Sequence, residues 1–82
     1  MPRYFFDTSD GAVHFPDFEG FQLPDLQAAR REALIALPGI ARGRVLDGVP
    51  GEVSATVRSE TGTVLFKATL TLAEDWGAAP PF

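Results

Sequence analysis

Glu52-Val53-Ser54-Ala55-Thr56-Val57-Arg58-Ser59, then Glu60-Thr61-Gly62, then Thr63-Val64-Leu65-Phe66-Lys67-Ala68-Thr69-Leu70-Thr71-Leu72 decide the fold. In the first run Val53, Ala55 and Val57 share one face, and Ser54, Thr56 and Arg58 share the other. In the second, Val64, Phe66, Ala68, Leu70 and Leu72 stand opposite Thr63, Leu65, Lys67, Thr69 and Thr71. Alternation with a period of two on both sides of a Gly-containing turn predicts an antiparallel hairpin. One of its faces is buried and the other is turned toward water.

Upstream of that hairpin, apolar residues fall at Leu26, Ala29, Ala33, Leu34, Leu37, Ile40, Ala41 and Val45, the spacing of a helix. Leu23-Pro24-Asp25 reads as its entry, with proline at the first helical position and Asp25 against the positive end of the dipole. Pro38-Gly39 interrupts the run. The apolar phase continues past it, which favours one kinked helix to about residue 45 over a helix that stops near Leu37. Arg3 to Phe6 is a short aromatic strand, Asp7 to Gly11 a turn, and Ala12 to Phe15 a returning strand. Pro16 to Gly20 is a loop, and Asp47-Gly48-Val49-Pro50-Gly51 is another.

The expected architecture is α+β with element order ββαββ. It is a four-stranded, mainly antiparallel sheet with one helix packed on one face. The first and last strands are the most apolar, and buried strands tend to be central. A β-grasp-like order 2-1-4-3 is therefore expected, with the first and fourth strands parallel and the helix crossing by the usual right-handed connection. A meander in chain order, 1-2-3-4, is the alternative. Residues 1–75 form one domain and 76–82 a loose tail, since 82 residues leave no room for a second core.

Cysteine is absent and histidine occurs once, so disulfides, thiolate metal sites and the usual zinc constellations are excluded. The net charge of −4 argues against nucleic acid, which demands clustered positive charge. No segment approaches the ~20 apolar residues that span a bilayer, and the opening Tyr4-Phe5-Phe6 is no signal-peptide core, so no membrane association and a cytosolic location are expected. Chains this small often need a further support, and oligomerisation remains, so a homodimer or another protein partner is anticipated.

The charges are unevenly distributed. Residues 1–25 set Arg3 against Asp7, Asp10, Asp17, Glu19 and Asp25; residues 26–46 set Arg30, Arg31, Arg42 and Arg44 against Glu32. Those four arginines are candidates for an anion or an acidic partner surface, against the simpler reading that they solvate a helix. Asp10, His14, Asp17 and Glu19 are a candidate cation site, but they lack the spacing of a calcium loop, and turn formation accounts for the aspartates. No metal or other cofactor is expected. No phosphate loop, Ser-His-Asp set or paired catalytic acids appears, so no catalytic residue is assigned. Phe5 and Leu65 point away from the helix-facing residues. If their strands are neighbours they form an apolar patch flanked by Arg3 and Lys67, open to a protein contact or covered by the tail around Trp76.

Met1-Pro2-Arg3-Tyr4-Phe5-Phe6, Asp10-Gly11, Asp17-Phe18-Glu19-Gly20 and Leu23-Pro24-Asp25, with Glu32-Ala33 in the helix, resemble the motifs of a family of short bacterial proteins of unknown function. The resemblance spans residues 1–72. Asp7 stands where that family carries histidine or asparagine, and Pro38 interrupts a helix that is usually continuous. The resemblance implies the fold and brings no activity, substrate or catalytic residue. Two functional classes follow. One is a non-catalytic, self-associating interaction module using the sheet face around Phe5 or an exposed strand edge. The other is a small-molecule or ion-binding accessory protein using the acidic N-terminal loops.

Overall fold

The fold was analysed in a computed structural model that describes residues 1–47 and 51–78. Strand β1 (Arg3–Ser9) is followed by two short strands, β2 (His14–Phe15) and β3 (Phe21–Gln22), and by helix α1 (Leu26–Asp47). The hairpin strands β4 (Gly51–Arg58) and β5 (Val64–Leu72) complete the chain's regular structure among the described residues. The result is the expected α+β class: one helix on a mainly antiparallel sheet, ordered β2-β1-β4-β5, with β3 also paired to β1.

The hairpin has the predicted faces except at Val64, which a register shift sets opposite Arg58 on the polar side. Val53, Ala55 and Val57 are buried, and Val53 lies opposite Leu70, Ala55 opposite Ala68, and Val57 opposite Phe66. At the turn, the Ser59 amide donates to the Thr63 carbonyl at 2.8 Å and Gly62 adopts φ 88°. A register shift between Val57 and Arg58 leaves Leu65 without a partner on β4.

The neighbour of β1 differs from the one expected. Phe5 to Ser9 pair antiparallel with Arg58 to Ser54, so the first hairpin strand, and not the last, lies beside β1. The reason is the return path. β2 pairs with Thr8 and Ser9, and β3 pairs with Arg3 and Tyr4, so the chain is carried back along β1 to its beginning. A 22-residue helix then leaves from that end. β4 opens near Ser9 and runs back. Apolarity is also a poor guide to centrality here. The small side chains of β4 allow the close approach of a helix whose buried face is Ala29, Ala33 and Leu37, while β5, richer in large residues, lies at the edge.

Three boundaries move as well. Asp7, Thr8 and Ser9 belong to β1 rather than to a turn, because β4 pairs through them. The turn contracts to Asp10–Val13, where the Asp10 Oδ1 accepts from the amides of Ala12 at 2.9 Å and Val13 at 2.8 Å. The helix starts at Leu26, with Asp25 as its cap: the Asp25 Oδ1 accepts from the Ala28 amide at 2.9 Å, and Pro24 lies before it. The loop expected over residues 47–51 and the end of the tail fall largely outside the described residues.

α1 runs unbroken through Pro38, which is exposed. Lacking an amide hydrogen, Pro38 leaves the Leu34 carbonyl without its intrahelical donor and crowds that turn. Pro38→Ala is expected to raise the unfolding free energy by about 1–3 kcal/mol, read from urea titration.

Candidate functional site

The outer edge of β1 is paired at both ends and open in the middle. β3 occupies Arg3 and Tyr4, β2 occupies Thr8 and Ser9, and the gap is filled by Asp17. Its Oδ2 accepts the Phe6 amide hydrogen at 3.0 Å, standing in for a strand carbonyl. Its Oδ1 accepts from the amides of Glu19 at 3.1 Å and Gly20 at 3.2 Å, which curls the loop around the carboxylate. The Asp17 amide donates to the Asp7 Oδ1 at 2.8 Å.

Arg58 closes this arrangement from β4. Its Nε donates to the Asp7 Oδ2 at 2.7 Å and its Nη2 to the Asp17 carbonyl at 2.6 Å. Its guanidinium carbon lies 4.7 Å from the centre of the Phe5 ring, a cation–π contact on the sheet face away from α1. The side chains are largely covered, Arg58 at 24% exposure and Asp7 at 12%. Arg3 reinforces the same loop, its Nη1 donating to the Glu19 carbonyl at 2.8 Å.

Gly20 completes the loop for two reasons. Its φ is +71°, and a Cβ there would stand 2.8 Å from the Tyr4 carbonyl oxygen and 3.1 Å from the Phe5 ring. The Asp-x-Glu-Gly motif is thus read residue by residue. The aspartate replaces a strand, the glutamate lends its carbonyl to Arg3, and the glycine permits contact with β1.

Burial alone would raise the Asp7 carboxyl. The Arg58 hydrogen bond, the Asp17 amide, the Arg58 charge and the His14 charge outweigh it, and the net shift is downward. Asp17 is likewise raised by burial and lowered further by the amides of Phe6, Gly20 and Glu19 and by Arg58. Both carboxylates are held ionised, with their oxygens committed to donors. Such a cluster ties backbone segments together and offers no poised base or nucleophile.

The other candidates are dispersed. Asp10 serves its turn, His14 and Glu19 are exposed, and Asp17 belongs to the cluster with Arg58. Among the described residues no three such side chains come together to hold a metal ion. Arg30, Arg31 and Arg42 are exposed on α1. About three turns of helix separate Arg31 from Arg42, so they do not converge. Arg44 lies in α1 with its side chain outside the described part. Lys67 and Leu65 are exposed on β5, and β4 separates them from β1, so Phe5 and Leu65 do not form one contiguous patch. Phe5 is half-buried under Arg58 instead.

Arg58 is the residue that sequence reasoning missed. The excess of acid in residues 1–25 calls for a nearby cation, and the clustered helix arginines are not the ones that answer it. Arg58 carries the only long cationic side chain on the polar face of its strand. That was the available signal.

A single helix on an antiparallel sheet, locked by Asp7, Asp17 and Arg58, defines a small α+β module with no cysteine or metal staple among the described residues. The family model described as "Domain of unknown function (DUF6894)" matches residues 3–71, so the chain belongs to that family. No curated protein and no solved structure matches it significantly. The family brings no catalytic assignment.

Two expectations test the lock. A carboxyl whose folded pKa is lowered stabilises the fold above its unfolded value, about 4, and loses that contribution as pH falls through the folded value. Urea midpoints should therefore drop from about pH 5 to about pH 3, and Asp7→Asn should flatten that drop. Gly20→Ala should cost at least about 2 kcal/mol in urea unfolding, against about 1 kcal/mol for Gly62→Ala, which shares a positive φ but opens on empty space.

Proposed function

We propose that this protein is a cytosolic, non-catalytic module that self-associates through the outer edge of β5. The observation that carries this reading is β5 itself. It is nine residues long and terminal in the sheet, with no strand on its outer side among the described residues. Natural edges of that length are usually blunted by proline, by several charges or by a covering segment. This strand has no proline and Lys67 as its one charge, while Val64 is 61% exposed and Leu70 42%.

The strand's own sequence supports a two-fold partner. Antiparallel pairing of two copies about Ala68 sets Phe66 opposite the partner copy's Leu70 and Lys67 opposite Thr69. Apolar residues then meet on the helix side, and the lysines are kept from facing one another directly. The sheet would continue across both copies, with a helix from each on the same face. An isologous contact of this kind closes on itself and stops at a dimer. The N-terminal edge is the poorer interface, because β2, β3 and Asp17 already occupy it.

Light scattering across concentration should give twice the monomer mass. Val64→Lys with Leu70→Lys should weaken the dimer at least about tenfold, a loss of about 1.4 kcal/mol, with an unchanged circular dichroism spectrum. A wild-type monomer at all concentrations, or a double variant that keeps the dimer mass, would exclude the β5 interface.

A further inference from the structure

Where α1 passes over the second half of β1, the packing is incomplete. Phe6 and Ala55 form the floor of a cleft of about 200 Å³, Phe21 and Leu23 its wall, and Ala33 and Ala36 its roof. The cause is side-chain size. Three of these six are alanines, too short to fill the wedge between helix and sheet. The Phe6 and Phe21 rings meet edge to face, with centroids 5.9 Å apart and planes inclined at 69°. That contact holds the wall upright instead of letting it collapse inward. Phe21 keeps 62% of its surface exposed.

The polar groups of the cleft are few. Thr8 offers a hydroxyl, and Glu32 is the single charged residue of the lining. The Glu32 side chain is exposed and has no ion pair or hydrogen bond among the described residues. Its neighbours one helical turn away, Ala28 and Ala36, supply no cation.

We propose that this cleft binds a small aromatic ammonium compound, the ring between α1 and the Phe6–Phe21 wall and the cation against Glu32. An apolar cavity of about 150 Å³ stays dry and accepts a benzene ring, so this one has room for a ring and a short chain. The class of ligand follows from the charge. A carboxylate or phosphate would meet Glu32 unfavourably, and a neutral ring would leave it unused. The site lies on the opposite side of the sheet from the Arg58 lock, and at the other flank from β5. It stands independently of self-association.

The test is a titration of isotopically labelled protein, followed by amide NMR at low salt, with 2-phenylethylamine, 2-phenylethanol and 3-phenylpropionate. Shifts are expected at Thr8, Phe21, Ala33 and Ala36. The amine should bind about two- to five-fold more tightly than the alcohol, the range of an exposed ion pair, and the carboxylate most weakly. Glu32→Gln should bring the three within about two-fold of one another, and Ala36→Leu, at an exposed helix position, should abolish all binding. Absence of these shifts, equal affinities in the wild type, or a preference that survives Glu32→Gln would overturn the proposal. So would Ala36→Leu halving the solution mass of a dimer without altering amine binding, which would give the cleft to a second copy of the chain.

Discussion

The Arg58 guanidinium ties the loop around Asp17 to the paired strands β1 and β4. It donates to Asp7 on β1 and to the Asp17 carbonyl in the loop, and it covers Phe5 on the sheet face that α1 does not reach. This matters because the apolar core is thin. Its buried members are Tyr4, Leu37, three alanines and two valines, and Val57 is the largest of those fully buried. A core of small side chains removes little area from water. Charge-assisted hydrogen bonds in a mostly covered position, each stronger than a neutral one, add the cohesion that such a core lacks.

The lock and the core act on opposite faces of the same strands. On the helix side, Phe6 and Val57 pack toward Ala29, Ala33 and Leu37. On the other side, Phe5 and Arg58 sit directly opposite each other across the strand pair and stack. Arg3, Tyr4, Phe5 and Phe6 therefore each have a different task. Arg3 holds the Glu19 carbonyl, Tyr4 is buried, Phe5 carries the guanidinium, and Phe6 lends its amide to Asp17 and its ring to the cleft. The most recognisable residues of the chain are accounted for by folding. Packing is unfinished in two places, at the edge of β5 and in the alanine-lined cleft.

These two places differ in physical kind. The β5 edge offers a row of backbone groups and a stripe of apolar side chains, which suits another strand. The cleft is concave, with one carboxylate at its rim, which suits a small ligand of opposite charge. Neither depends on Asp7, Asp17 or Arg58 directly, so variants at the lock report on stability and variants at the two surfaces report on binding.

Periodicity alone determined the hairpin with its buried Val53-Ala55-Val57 face, the helix across Pro38, and the Gly62 turn, because each is set by contacts between near neighbours in the chain. The α+β class followed from their order. Tertiary structure decided the rest. Phe21–Gln22 is too short to carry a period of its own and is a strand only because Arg3 and Tyr4 stand opposite it. That return path placed β4, rather than β5, beside β1. The site was equally hidden, since Asp17 and Arg58 are 41 positions apart and meet only when β1 and β4 are aligned. A hydrogen bond between distant residues leaves no spacing in the sequence, whereas one between neighbours does.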